Sequence, residues 1–582
     1  MKRLLAILKT HYLALIFALI VGLGAVAPHL FFIYDLGDKY KGINVFKSSD
    51  EEGYLASVQV TSLVGGEKFP PPYLYENRNI PAAVIFLSEI ILGKIVKYTR
   101  IEVVNLFLLL KFFGPFLIFI LLYWLVYAIT KNKVSSILAP TLIIIGMGII
   151  GARPGIIWDT ILWRSPSIEF WDHIRLLNPA FSGIFFFLTL VAVLYLFFQP
   201  TIKKAMIAGS LFGILFYLYL YFWTFVLALL GVILLYALFA KAIKLSVYTL
   251  VSLGFGILIG LPQVFNLFVY LNKVTYGSSG IINLSVVSRH GPLFEKVVLA
   301  SLTLYVLFLI YLRKRGVLDR VFLFPLFLLI TGTIAVNQQL ITGKVIQPHH
   351  YYFFTNLPSA YIALAVVFGY VINLIRQKYS RYSIVAAAFL LVFAWGIGVQ
   401  ASSYKYWAPK YREYQNYGEI FNWLKQNAPR DSVIYGNDEI SDLISAYTPF
   451  FVYWNGHAGD SVYPPMERKE RVYFIRMRLN NVGVQDAEKY LRDHREEIGW
   501  GFYGQYYRDL CGTYGCFPDE IMDSLIEKYK DFLRQPFEQE FKKYKVDYFV
   551  WDKTREPDWP VENVKFLIPV FESQDVIILK IK

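Results

Sequence analysis

The sequence predicts an α-helical polytopic membrane protein with about 11 transmembrane helices, followed by a C-terminal extracytoplasmic α/β domain. Three observations lead there. Of 582 residues, 56% are hydrophobic and only 17% charged, against about 25% charged in an average soluble domain. Apolar runs long enough to span a bilayer recur through residues 1–402 and then stop. Charge divides at the same place: residues 403–582 carry 25 Lys and Arg against 29 Asp and Glu, whereas residues 1–402 carry 32 against 14. The net charge of +14 therefore sits between apolar runs, where it sets topology, and no nucleic-acid partner is implied.

Each span follows from its run. Lys2, Arg3 and Lys9 precede an apolar stretch from Tyr12 to Ile33, too long for a secretory signal and without a small-residue cleavage site. It reads as a signal anchor with a cytoplasmic N-terminus. Further runs lie at 103–129, 134–151, 181–199, 205–221, 222–240, 245–265, 296–312, 321–337, 352–375 and 383–402. The long stretch 205–240 is divided at Tyr221-Phe222. Basic residues follow every second span: Lys131 and Lys133, Lys203 and Lys204, Lys241 and Lys244, Arg313 to Arg315, then Arg376, Lys378 and Arg381. These segments are assigned to the cytoplasm and the C-terminus to the outside of a plasma membrane.

Two outer loops are long. Residues 34–102 carry turn signals at Gly65-Gly66 and Pro70 to Pro72, and 81–97 fits an interfacial helix. Residues 152–180 form the second loop. The tail, 403–582, is large enough for its own core. A helix over Tyr417–Asn427 and strands near Ser432–Tyr435, Val546–Trp551 and Val576–Lys580 suggest a small α/β domain. Cys511 and Cys516 enclose Gly-Thr-Tyr-Gly; a disulfide and an unbridged pair are both open.

Of the 14 acidic residues in 1–402, nine fall in the first loop, three in the second, and Glu295 at the outer end of the eighth span; Asp319 faces the cytoplasm. None lies mid-membrane, where ion-coupled carriers keep their ionisable groups. No internal symmetry is visible either. A transporter or flippase of lipid-linked glycans remains an alternative, as does a glycan polymerase or ligase, which would favour Arg in the outer loops.

Asp50-Glu51-Glu52-Gly53-Tyr54 is the sharpest motif. A carboxylate just outside the bilayer can take a proton from a hydroxyl or amine nucleophile. A neighbouring acid can orient it, raise its pKa or hold a divalent cation. Three acids in a polar loop are also what a solvated surface presents. The second loop offers Asp159, Arg164, Glu169, Asp172, His173 and Arg175, with Glu169 and Asp172 one helical face apart. These acids could serve a metal, an acceptor or salt bridges within a folded loop. Lys344, His349 and His350 precede a Pro-containing span and could donate to a lipid phosphate, with Arg289 and His290 a second candidate pair. Metal ligation by the two His with Asp50, or a purely structural loop, are the other readings. Lys111, about two turns into the second span, could meet a lipid phosphate but is expected to snorkel outward. In the tail, Asn437, Asp438, Glu439 and Asp442 follow the first strand, with His457 nearby, at the edge where α/β domains bind ligands.

An Asp-Glu-x-x-Tyr motif opening the first outer loop resembles the GT-C superfamily of polytopic glycosyltransferases. That group includes protein O-mannosyltransferases, lipid A aminoarabinose transferases and the oligosaccharyltransferase catalytic subunit. The motif covers residues 50–54 and the architecture the whole chain. The resemblance implies an inverting transfer of a sugar from a polyprenyl-phosphate-linked donor to a glycan, lipid or protein acceptor on the outer face. It implies Asp50 as the catalytic carboxylate with Glu51 beside it. Tyr54, Asp159, Glu169 and Asp172 would belong to the acceptor or second acidic site. Lys344, His349, His350, Arg289 and His290 would meet the donor phosphate. The resemblance fixes no cofactor; if a divalent cation, Mg or Mn, is held, it would rest on Asp50, Glu169 and Asp172. The sequence departs from the pattern in having no Asp-x-Asp in the second loop, and His-His where relatives often carry Arg or Lys.

Overall fold

The structure is a computed structural model that describes residues 2–46, 49–64, 73–78, 85–164, 169–274, 286–288, 290–456, 458, 464–503 and 518–582. Among the described residues, sixteen helices precede the C-terminal domain. They are α1 (Lys2–Leu36), α2 (Ser49–Val64), α3 (Leu87–Thr99), α4 (Val103–Thr130), α5 (Lys133–Ile144), α6 (Pro154–Ile161), α7 (Ser182–Phe198) and α8 (Ile202–Leu215). There follow α9 (Leu220–Phe239), α10 (Ile243–Val274), α11 (Lys296–Lys314), α12 (Leu323–Val336), α13 (Gln339–Thr342), α14 (Pro348–Tyr351), α15 (Leu357–Leu374) and α16 (Lys378–Glu413).

Among the described residues, nine helical segments are long and apolar enough to cross a membrane, those built on α1, α4, α7, α9, α10, α11, α12, α15 and α16. The chain is a multi-pass membrane protein. The other two expected spans are helices of 12 and 14 residues, α5 and α8, about 18 and 21 Å long at 1.5 Å per residue. That is short of the ~30 Å hydrocarbon core. Beyond α5 the chain turns through Gly148 (φ 83) and Gly151 (φ 97), a backbone that ends a helix however apolar the sequence. Beyond α8 it turns at Phe216–Tyr219, so the break in 205–240 lies a few residues before Tyr221-Phe222. Both short helices are held by close packing. The Asn132 side chain caps α5, accepting from the Val134 and Ser135 amides, and donates to the Gly369 carbonyl of α15 at 3.1 Å. Helix α8 meets α10 backbone to backbone: a methyl on Gly209 would lie 2.7 Å from the Ser252 carbonyl oxygen.

In the first loop, α3 spans Leu87–Thr99 where a helix was expected over 81–97; Pro81 and the Gly65-Gly66 and Pro70 to Pro72 turn signals lie outside the described residues. Helix α2 lies between the bundle and the C-terminal domain, packed on α3, on α4 and on α18 (Asp438–Tyr447).

Helix α16 runs from the membrane segment to Glu413, so the expected boundary at 402/403 falls inside one continuous helix. Next, α17 (Tyr417–Asn427) forms over the expected residues. A five-stranded sheet follows, ordered β4 (Phe451–Val452), β3 (Val433–Tyr435), β5 (Tyr548–Asp552), β7 (Val576–Ile581), β6 (Leu567–Ser573). Strand β3 is parallel to β4 and β5, while β7 is antiparallel to β5 and β6. Both sheet faces are covered. Ile434, Tyr548, Val550 and Ile578 join the core shared with the bundle, and Val433, Tyr435, Phe549 and Leu579 join a second core. Strands β4 and β6 were not foreseen: two residues carry no alternation, and β6 is an edge strand with Pro569 and a bulge. Cys511, Cys516 and His457 lie outside the described residues.

The domain is bonded to the first loop. Gln415 accepts from the Lys41 amide and donates to the Ile43 carbonyl, both at 2.8 Å. The Val452 amide donates to the Tyr73 carbonyl at 2.9 Å, and Arg468 pairs with Glu76 at 2.8 Å.

Gly209→Leu should force α8 from α10 and lower the thermal midpoint in a bilayer mimetic by the equivalent of about 1–3 kcal/mol. Gly231→Leu on α9, with no neighbour within 4 Å of the added carbon, should not.

Candidate active site

Asp50, Glu51 and Glu52 occupy the first turn of α2, where the positive end of the helix dipole favours acids. Consecutive helical residues point about 100° apart, so the three carboxylates leave in three directions. Each finds a different partner.

Glu51 turns into the bundle. It is fully buried, and accepts from Lys111 Nζ of α4 at 2.6 Å and from the Leu176 amide at 3.2 Å. Lys111 is equally buried, which corrects the expectation that it snorkels outward: a carboxylate is within reach inside, and pairing there replaces hydration. Glu51 is thus enclosed by protein groups. Glu52 turns toward the C-terminal domain and accepts from the Tyr411 hydroxyl at 2.9 Å. Burial pushes its carboxyl up to about 7, opposed by the Tyr411 hydrogen bond and Lys410 and assisted by Glu439 and Glu51.

Asp50 turns outward. Half exposed, it accepts from Arg175 Nη1 at 2.9 Å. Arg175 stands between the short turn Asp172–Ile174 and a π-helical turn Leu176–Phe181, and its Nε donates to the Asn178 carbonyl. Its guanidinium lies over the Phe354 ring, 5.1 Å from the centroid. Burial works against its charge, but Tyr54, Tyr219, Asp50 and Asp172 outweigh it and hold the group above its usual range. Burial also raises the Tyr54 and Tyr219 phenols, with Arg175 opposing in both cases. Tyr219 in turn hydrogen-bonds His350 Nδ1. His350 stacks on Tyr221, centroids 4.7 Å apart, and the Tyr221 hydroxyl donates to Gln347 Oε1 at 2.6 Å. Gln347 holds a left-handed backbone (φ 30), a strained conformation for a residue with a side chain, just ahead of α14.

The structure thus brings Asp50, Tyr54, Asp172 and His350 around Arg175. His349 is exposed beside His350, ring centroids 4.4 Å apart. His290 is exposed and hydrogen-bonds the Leu340 carbonyl at 3.4 Å. Lys344 is described through its backbone, which opens β2 (Lys344–Ile346) opposite β1 (Val286–Ser288); Arg289 lies outside the described residues. Asp159 is exposed on α6, and Glu169 is exposed with its carbonyl bonded to Ser403 Oγ of α16. Among the described residues no three of His, Cys, Asp or Glu gather to hold a metal ion. Asp50, Glu169 and Asp172 therefore do not gather into the set expected for Mg or Mn.

Arg175, Tyr219 and Lys111 are the residues whose roles the sequence did not assign. Arg175 stood in the second-loop inventory with nothing to mark it as the partner of Asp50, 125 residues away. Tyr219 had a legible signal: Tyr217-Leu218-Tyr219-Leu220-Tyr221 alternates with period two inside a stretch read as helix.

No family model matches the sequence, and no curated protein matches it. Among solved structures, the chain is similar to the Archaeoglobus fulgidus oligosaccharyltransferase in its apo form, at 13% identity over 93% of this chain and 70% of that one, with a TM-score of 0.49. The same protein tethered with an acceptor peptide containing the NVT sequon gives 12%, 98%, 76% and 0.44. ArnT from Cupriavidus metallidurans bound to undecaprenyl phosphate gives 9% identity over 98% of each chain, with a TM-score of 0.48.

Glu51→Gln should leave Lys111 charged and buried without its counter-ion, costing about 3–5 kcal/mol of stability, whereas the double change Glu51→Leu with Lys111→Met should recover most of it. Thermal unfolding of both variants checks this. Glu52 adds a pH dependence. Its folded pKa lies above its unfolded value, so its contribution is complete below about pH 4.5 and is lost as pH rises through about 7. Between about pH 5 and 8 the midpoint of the wild type should fall further than that of Glu52→Gln, by the equivalent of roughly 2–3 kcal/mol.

Proposed function

We propose that this chain is a GT-C-type glycosyltransferase. It moves a sugar from a polyprenyl-phosphate carrier to an acceptor at the extracytoplasmic face, where the C-terminal domain lies, with the N-terminus in the cytoplasm. The observation that carries this reading is the Asp50–Arg175 pair, a half-exposed carboxylate and a nearly buried guanidinium braced from behind by Glu51 and Lys111. Sugar transfer from a lipid phosphate needs these two opposite charges side by side. One receives a proton and the other receives a phosphate.

In a single displacement, the acceptor's hydroxyl or amine attacks the anomeric carbon as its proton passes to Asp50. The bond from that carbon to the phosphate oxygen breaks, its electron pair leaves with the polyprenyl phosphate, and the configuration inverts. Arg175 is placed to hydrogen-bond the phosphate oxygens as charge grows on them. Tyr54 and Tyr219 hold its position, and His350 and His349 extend the donor side. Asp50 is tied to Arg175, and a phosphate that takes over the guanidinium's donors leaves the carboxylate free to face the acceptor. For the isoprenoid tail, α10 exposes an apolar wall of Leu258, Leu261, Phe265 and Phe268.

Purified full-length protein in lipid, given radiolabelled short-chain polyprenyl-phosphate sugars, should transfer or release sugar. Asp50→Asn should lower the rate by about 10²–10⁴, and Arg175→Ala should raise the KM for the donor as well as lower kcat. Full activity in Asp50→Asn, or binding without turnover in every form, would contradict the reading.

A further inference from the structure

The C-terminal domain contains a cavity of about 400 Å³ that the proposed reaction does not use. It opens at the carboxyl ends of the parallel strands β3 and β4, the crevice where α/β sheets place ligands. Asp438, at the start of α18, comes from beyond β3, and Trp454 from beyond β4. Tyr473 and Arg476 face them from the helix Met466–Leu479, and Glu497 and Trp500 from the helix Arg495–Tyr503.

The chemistry of this lining is specific. Arg476 lies 3.1 Å from Asp438 and 3.7 Å from Glu497, so one guanidinium is shared by two carboxylates. Their remaining lone pairs are fixed acceptors, and the guanidinium is a fixed donor. Asp438, Asp442 and Glu497 outnumber Arg476 and Lys469 in the lining, which disfavours phosphate, sulfate and carboxylate ligands. A purely apolar occupant would leave these polar groups unmatched. Three aromatic rings, of Trp454, Tyr473 and Trp500, offer flat apolar faces beside this polar array. A pyranose ring meets both demands at once, with apolar C–H faces for the rings and a fringe of hydroxyls for the carboxylates and guanidinium.

We propose that this cavity binds a neutral saccharide, stacked on its aromatic wall and hydrogen-bonded to Asp438, Glu497 and Arg476. The proposal stands apart from the transfer chemistry, since it asks only for binding. Its place in the fold gives a route: α18 lines the cavity with Asp438 and packs against α2, so a bound glycan lies one helix away from the helix whose first turn carries Asp50.

Saturation-transfer NMR on the full chain in nanodiscs, free of glycoside detergent, tests this with maltotetraose, mannotetraose and chitotetraose as neutral probes and sialyllactose as the acidic one. The expected result is saturation of the ring protons of at least one neutral probe and none of sialyllactose. Affinity should fall about tenfold in Trp500→Ala and in Glu497→Gln, both with unchanged circular dichroism, and stay constant in Tyr379→Ala on α16. No saturation of any neutral probe by the folded wild type, binding of sialyllactose alone, or unchanged affinity in both cavity variants would overturn it. None of these readouts requires a donor or turnover, so failure here is distinct from failure of the glycosyltransferase reading.

Discussion

Two fully buried charges, Glu51 and Lys111, meet at 2.6 Å where α2 rests on α4. Such a pair gains little over a well-packed apolar contact but is costly to break, so it fixes α2 in one rotational setting. Everything around the site follows from that setting. The Glu51 carboxylate also takes the amide of Leu176, the residue after Arg175, while Asp50, the residue before Glu51, takes the Arg175 side chain. Two adjacent residues of the first loop are thereby matched to two adjacent residues of the second. Glu52, next along, is left facing Tyr411 and couples the same helix to the C-terminal domain.

This division of labour bears on the alternative of a carrier. A transporter needs its membrane charges to exchange partners during the cycle. Glu51 and Lys111 are instead closed on each other and on a backbone amide, while the solvent-facing charge is the one at the mouth, Asp50. The polar groups between Arg175 and Gln347 run along the same mouth, through Tyr219, His350 and Tyr221, and end at a strained backbone.

Much of this was legible in the sequence, and the remainder fails for identifiable reasons. Hydropathy located the apolar helices, and the amphipathic spacing of Tyr417–Asn427 marked α17 residue for residue. It overstated α5 and α8 because composition does not register where the backbone leaves the helix, as at Gly148 and Gly151. The acidic motif forms the first turn of α2, but its sequence could not say which acid faces where. That depends on Lys111, Arg175 and Tyr411, which lie 60, 125 and 359 residues away from their partners. Asp159 and Glu169 share the second loop with Arg175 in sequence, yet the turns around Asp172 present Arg175 to the site and leave those two acids exposed elsewhere.

The claim at the centre of this interpretation is that Arg175 receives the donor phosphate and thereby frees Asp50. A structure of the full chain in lipid with a short-chain polyprenyl phosphate bound tests it most directly. Phosphate oxygens within about 3 Å of the Arg175 guanidinium, with the Asp50 carboxylate released toward the open side of the phosphate, is the expected result. A phosphate bound away from Arg175, with the Asp50–Arg175 pair still closed, would contradict it.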